Sequence, residues 1–478
     1  MKKLIFLFVL IICYISSAQE FKFESSEVFE KIHPNEVYKV VFATPYGFST
    51  YSYLNKVFMD NQKEITITKY DQKLTQVGVK RFNLPKLDLR AADLDEVIET
   101  NNQLIFISNA MSKKKGVRNI YAQVYDLESD TISEAQIIAS YAIESYSKSG
   151  QIEVSVSENN SKIVVLANMP FVKKTNQKIK VWTYSKDLSP IWEASYDLSL
   201  PSERAHNQDV HISNSGTVYL VKRHNYNSKK ATSNFIIITA DAKSEKVLSE
   251  PNFFLRNTRL VNIGIDEILV GFYLEAKVPY IDNNSEKGNA TSGLFLYSTN
   301  DEKIIGKHAF DLKNPNAKGI ASVEFVHTNV IGEDLFIVAE KQTYSSKFKT
   351  GNSTELDYMY THGPILLANL NTNGSLKGMD FLANTATYKN ELNERASLAV
   401  FALNGGLRLL YNKSYFTVAG FYNDDETKYS SLPTKYKNGS SATSYIAPKS
   451  FDIVKSYNLA YFLSSNGNRY WLNKMTWE

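Results

Sequence analysis

The sequence predicts an all-β chain folded as a single β-propeller, and three observations carry that reading. Short apolar stretches rich in β-branched and aromatic residues recur at 65–70, 104–107, 163–166, 235–238, 268–273 and 335–338. Each is bounded by Asn, Asp, Ser or Gly, the pattern of a strand between turns. Polar hairpin turns separate them in a rhythm: Asn101-Asn102, Asn159-Asn160-Ser161, Asn214-Ser215-Gly216, Asp266-Glu267, Gly332-Glu333, Asn404-Gly405-Gly406 and Ser465-Asn466-Gly467. The interval is roughly 50 to 75 residues, which for strands alone means one propeller blade per period.

A second turn series alternates with the first, at Tyr70-Asp71, Tyr125-Asp126, Lys186-Asp187, Ala240-Asp241, Asn300-Asp301 and 371–374. Asp and Asn suit such turns because their side chains bond the local backbone and tolerate left-handed conformations. Two hairpins per period give four strands per unit, a blade's requirement. Seven hairpins of the first kind favour seven four-stranded blades, with six and eight as open alternatives. Strand-like segments at 36–60 and 451–478 predict that strands from both termini close the ring and leave no open sheet edge. Residues 91–100 allow a turn of helix, but their place before an Asn-Asn turn matches the strand openings elsewhere. No linker or composition break appears, so 19–478 reads as one domain.

Residues 1–18 read as a signal peptide. Lys2 and Lys3 precede an apolar run from Leu4 to Ile15, and Ser16-Ser17-Ala18 fits a small-residue cleavage site. The run is shorter than the roughly 20 residues a bilayer span needs, and no later stretch is long and apolar enough, so the mature chain is expected to carry no transmembrane segment. Periplasmic or extracellular residence is the expectation. Cleavage removes Cys13, the one cysteine of the 478 residues, and with it any disulfide or thiol chemistry. Net charge is +4 and falls to +2 without Lys2 and Lys3. Such a balance argues against nucleic acid as the partner, which calls for a strongly basic surface.

The functional signal is an asymmetry between the two faces of the ring. Connections after the second strand of each period read as long loops, roughly 109–119, 168–178, 222–234, 275–292, 341–362 and 412–445, while the opposite turns are tight. Long loops in a compact domain usually carry function. They hold lysines (Lys113-Lys114-Lys115, Lys173-Lys174, Lys222, Lys229-Lys230) and aromatics (Tyr226, Tyr280, Tyr344, Tyr358, Tyr415). Aromatic faces stack on sugar rings and cations pair with acidic groups, so a glycan or a protein of the cell envelope is the expected partner.

Aligned second-strand ends give a ring of polar positions: Asn109, Asn168, Lys222, Glu275, Glu340 and Asn412. Asn109, Asn168, Lys222, Arg223, Tyr226, Tyr344 and Asn412 are the binding candidates. Glu275 and Glu340, on adjacent periods, are candidates for the acid and base of glycoside cleavage. His211, flanked at alternating positions by Asp209 and Ser213, and His224 are candidates for a general base. No metal-ligand spacing appears, and no cofactor is expected beyond a faint calcium-loop pattern starting at Asp282, whose glycine is one residue late and whose distal Glu is missing. Glycine-rich phosphate loops, a GxSxG elbow and paired CxxC are absent from the sequence, which weighs against nucleotide, serine-hydrolase and thiol chemistry.

On this rhythm most of 36–478 resembles an exported bacterial β-propeller, without the repeat signature of a named family. Ser213–Tyr219 resembles a degenerate Asp-box turn of sialidase-like blades. Some exported seven-bladed propellers are polysaccharide lyases that use His, Tyr and Arg, and His211, Arg223, His224 and Tyr226 supply those types in one period. Three readings follow. The favoured one is a non-catalytic binding or scaffolding propeller whose long-loop face engages a protein or glycan. The alternatives are a polysaccharide lyase or hydrolase with its site in the central cleft, and a structural component that binds edge-on through its rim.

Overall fold

A computed structural model describes residues 22–30, 36–54, 63–100, 102–202, 207–224, 232–247, 253–263, 266–276, 290–311, 323–348, 356–384, 386–389, 397–403, 406–413, 416–421, 428–430, 432–435, 441–466 and 469–477. The predicted signal peptide lies outside them. All regular elements described are strands, apart from two short 3-10 turns at Pro448–Ser450 and Lys455–Tyr457.

Seven antiparallel blades, each from one contiguous stretch, stand in a ring. Blade 1 runs through Glu36–Thr44, Gly47–Leu54, Glu64–Asp71 and Gln76–Asn83. Blades 2 to 7 occupy 93–142, 151–201, 207–247, 253–309, 323–389 and 398–430. Segment 91–100 resolves as the strand Asp93–Glu99 that opens blade 2. A composite sheet fills the remaining gap as an eighth. In it Ser441–Ile446 and Asp452–Val454 pair with Leu459–Asn466, which pairs with Arg469–Thr476; Lys22–Ser25 and Phe29–Glu30 then add along the outer edge of that strand. Closure by both termini is therefore as expected. Blade 1 opens on a hairpin that the turn series did not include, Thr44-Pro45-Tyr46-Gly47, where Thr44 pairs with Gly47. Gly47 sits at φ +153 with the Tyr70 carbonyl 2.2 Å from where a Cβ would be, so no larger residue fits.

The blades hold together face to face. Along Gln103–Ser112, Leu104 and Phe106 pack toward blade 1 while Ile105 and Ile107 pack toward blade 3. In blade 3, Ile163 and Val165 face blade 2, and Val164 and Leu166 face blade 4. Alternation by twos on a strand covered on both faces explains why these stretches read as unbroken apolar runs. Such a cluster fills every gap of the ring, the last two on either side of the composite sheet. Each fully buried Leu, Ile or Phe in them contributes roughly 1.5–3 kcal/mol.

The predicted long loops need correction. The connection expected over 109–119 is the tight turn 113–116, and that over 168–178 is 169–175. Region 341–362 is mostly strand: Asp334–Phe348 and Leu356–Asn371 form a projecting hairpin paired out to Phe348 and Leu356. Region 412–445 is no single loop either, since it holds Phe416–Phe421, Lys428–Ser430, Leu432–Lys435 and the start of Ser441–Ile446. The polar and aromatic composition that suggested loops there belongs to paired strands. Residues 225–231 and 277–289 lie outside the described residues.

The seam is secured by Asn473, fully buried in the composite sheet. Its Oδ1 accepts from Ser25 Oγ at 2.7 Å, and its Nδ2 donates to Ser464 Oγ at 2.9 Å and to the Trp471 carbonyl at 3.1 Å. Replacing Asn473 by Leu leaves these partners unsatisfied and is expected to cost about 2 kcal/mol, read as a lower urea midpoint, whereas Ser26→Ala, which removes a part-buried bond from Leu472 N and an exposed one to the Glu27 carbonyl, should cost less.

Candidate functional site

Second-to-third turns and the passages between blades share one face of the ring. Between blades 1 and 2 that face opens into a cavity of about 250 Å³ lined by Tyr53, Lys63, Asp93, Asp95, Asn109 and Arg118, with Ile65, Leu84, Leu94 and Met111 as its apolar wall. The strand ends that form it are those of Gly47–Leu54, Glu64–Asp71, Asp93–Glu99, Gln103–Ser112 and Val117–Asp126.

A chain of polar contacts crosses the cavity. Asn109 Nδ2 donates to both Asp95 oxygens at 2.8 Å, and Asn109 Oδ1 accepts from Arg118 Nε at 3.0 Å. Arg118 also donates to the Tyr141 hydroxyl and to the Gly150 carbonyl, which ties the cavity floor to the passage into blade 3. Lys63 pairs with Asp93 at the rim. Asp95 reaches solvent, yet protein surrounds most of its carboxyl. That enclosure pushes its pKa up to about 6 against the opposing pull of Asn109 and Arg118. A carboxyl, an amide, a guanidinium and a tyrosine thus converge on one opening. Of these, only Asn109 was named from the sequence.

The other ring positions lie elsewhere. Asn168 is fully buried, its Oδ1 accepting from Gln177 Nε2 at 2.5 Å and from Lys222 Nζ of blade 4 at 3.3 Å. Asn412 brackets the closing sheet: its Nδ2 donates to the Ile446 carbonyl at 2.8 Å, and its Oδ1 accepts from Ile446 N at 3.1 Å. Glu340 has no exposed surface and lies 2.8 Å from His362 Nδ1 within blade 6. Glu275 is at the surface, 2.9 Å from Lys307 Nζ. The two carboxylates do occupy adjacent blades, but one is sealed and the other open, so they do not converge on one cleft. Arg223 and His224 fall in Val218–His224, and Tyr344 in the projecting hairpin opposite Tyr360; their side chains lie outside the described residues, as do Tyr226 and Asp282.

His211 sits on the innermost strand of blade 4, its Nε2 3.0 Å from Thr258 Oγ1 of blade 5. Asp209 beside it accepts from Thr258 N and Oγ1, both at 2.9 Å. Burial pulls His211 down to about 4, Asp209 only partly opposing this, so the ring is neutral at pH 7 and serves as a hydrogen-bonded brace between blades. Among the described residues no group of His, Cys, Asp and Glu is arranged to hold a metal.

Innermost strands elsewhere carry further braces. Glu99 accepts from Phe42 N at 2.7 Å and Asp452 from Ala43 N at 2.7 Å, where a bulge at 41–44 places Phe42 at φ +55. Burial, and then Asp452, push Glu99 up to about 7.

No family model matches the chain, and no curated protein matches it closely enough to count as a relative. Among solved structures it is similar to the β-propeller domain of the Trilobed protease from Pyrococcus furiosus, at 12% identity and TM-score 0.38, over 86% of this chain and 98% of that one. It is also similar to the WD40 domain of SCAP from fission yeast, at 9% identity and TM-score 0.39 over 95% and 98%. Synechocystis apocarotenoid oxygenase matches at 9% and 0.38 over 90% and 97%. At these values the likenesses say nothing of function.

The titrating groups predict a pH signature. Glu99 and Asp95, raised in the fold, bind more protons folded than unfolded between about pH 4 and 7, so their contribution to stability is lost as pH rises through that window. His211, depressed, acts oppositely, and its contribution is lost as pH falls from about 6.5 toward 4. Glu99→Gln should therefore gain stability relative to the wild type between pH 5 and pH 8, whereas His211→Gln should gain relative to it from pH 7 down to pH 4. Urea midpoints across pH check both.

Proposed function

We propose that this chain is an exported, non-catalytic binding propeller whose face bearing the second-to-third turns takes a glycan, with one sugar unit seated between blades 1 and 2. The cavity carries the reading. Its volume lies just below the roughly 300–1,000 Å³ typical of ligand pockets, which suits a single ring-sized group. An aromatic side chain beside a carboxyl, an amide and a guanidinium matches the needs of a polyhydroxylated ring, which offers both donors and acceptors along an apolar face. Export rests on the basic, apolar and small-residue pattern of residues 1–18, with the periplasm or the exterior as residence.

A non-catalytic role is supported by where the candidate groups lie. Glu340 is sealed against His362, Glu275 is held by Lys307, and His211 is held by Thr258. Within the cavity Asp95 is joined to Asn109, which Arg118 holds in turn, and the second carboxylate, Asp93, is paired with Lys63, an arrangement that orients a ligand.

Residues 19–478, titrated against neutral and acidic polysaccharides, should bind at least one without releasing reducing ends or unsaturated products. Asp95→Asn should weaken that binding about tenfold, a loss of about 1.4 kcal/mol. Product release would show an enzyme instead. Binding untouched by Asp95→Asn would place the site outside this cavity.

A further inference from the structure

Beside the cavity, the same face carries a charged platform that the sugar seat does not use. Four segments of blades 1 to 3 build it: the hairpin Lys86–Leu87 with Arg90–Ala91, the turn 113–116, the passage 143–150 and the turn 169–175. They are knit into one surface. Asp88 of the hairpin bonds Ser112 and lies 3.6 Å from Lys115. Arg90 stacks over the Tyr146 ring at 4.4 Å, and Ile143 N donates to the Gly116 carbonyl at 2.9 Å. Gly150 runs so close to Asn168 that a Cβ would meet its carbonyl at 2.0 Å.

Charge is concentrated here. Lys86 and Arg90 on the hairpin, Lys113 to Lys115, Lys148, and Lys173 with Lys174 make eight exposed cations against the two carboxylates Asp88 and Glu144, a local balance of +6 in a chain whose total is +4. Among these cations stand two exposed aliphatic side chains, Leu89 at the hairpin tip at 82% and Val172 at 54%, and the Tyr146 ring, 39% exposed beneath Arg90. Aliphatic tips raised on loops inside a lysine collar are unfavourable in water and add nothing to sugar recognition, which uses aromatic faces. They fit a surface that is anionic outside and apolar beneath.

We propose that this platform docks on an anionic lipid surface, with Leu89 and Val172 entering the headgroup boundary and the lysines pairing with phosphates. Peripheral binding of this kind combines burial of apolar tips with attraction to acidic headgroups, and salt weakens the second part. Docking is independent of what fills the cavity.

Sedimentation of residues 19–478 with vesicles tests it. Vesicles of phosphatidylcholine with one third phosphatidylglycerol should carry the protein down at low salt, and phosphatidylcholine alone should not. Lys113→Glu with Lys114→Glu should abolish the effect, and Leu89→Asp with Val172→Asp should reduce the bound fraction severalfold, both with unchanged thermal melts. Asp95→Asn, which belongs to the sugar seat, should sediment like the wild type. Failure to sediment with the acidic vesicles overturns the proposal. So does sedimentation that the aspartate pair leaves unchanged, because the platform then reads negative charge alone, as a soluble acidic polysaccharide would present it.

Discussion

A ring of sheets packed face to face has a constraint that a stack of sheets lacks: each blade keeps both faces dry only while the ring is shut. The apolar runs of the second strands, such as 104–107 and 163–166, are buried on both sides, and opening any one gap would expose two such faces at once. The gap at the termini is the one place where chain continuity cannot help. Pairing of Lys22–Ser25 and Phe29–Glu30 with Arg469–Thr476 supplies that continuity, joining the two ends of the chain. Trp471, Phe462 and Tyr461, all fully buried in the composite sheet, give the seam a core as apolar as those of the contiguous blades.

Polar stitches on the innermost strands work with this packing. Apolar contacts are non-directional and would tolerate sliding of one blade on the next. Hydrogen bonds from one inner strand to a backbone group of its neighbour do not. Glu99 to Phe42 N, Asp452 to Ala43 N and Asp209 to Thr258 N each fix an angle between two blades. Glu158 goes further and spans from blade 3 to Asn262 of blade 5, accepting from its backbone and side-chain nitrogens at 2.9 and 2.5 Å. These inner-strand carboxylates, and His211 beside Asp209, are thus accounted for by registration of the ring.

Legibility from sequence followed the locality of each feature. Hairpin turns rest on the chemistry of two to five residues, so both turn series and the class of fold were readable. The hairpin at Pro45-Tyr46 stood outside both turn series. The polar second-strand ends were also readable as positions. Their partners were not, since Asn168 meets Lys222 across a blade boundary and Asn412 meets Ile446 across 34 positions. Asp95 and Arg118 form a site only because a bulge opposite Ile107 and Ser108 shifts the register of Asp93–Glu99, and a one-residue shift of register leaves no mark in a hydrophobic pattern.

Near-neutral net charge, read from composition alone, speaks against nucleic acid as a partner, but composition averages over surfaces that never meet the same solvent. Here the cations of the platform stand on the loops of blades 1 to 3, while carboxylates such as Glu96, Glu99 and Asp452 line the channel, within the influence of Lys39. Fields of opposite sign separated by the body of the ring do not cancel at either surface, because salt screens them beyond about 10 Å. Arg118 joins the two regions of the working face mechanically, with one contact to Asn109 in the cavity and another to the Gly150 carbonyl in the platform. The cavity and the charged platform share one support.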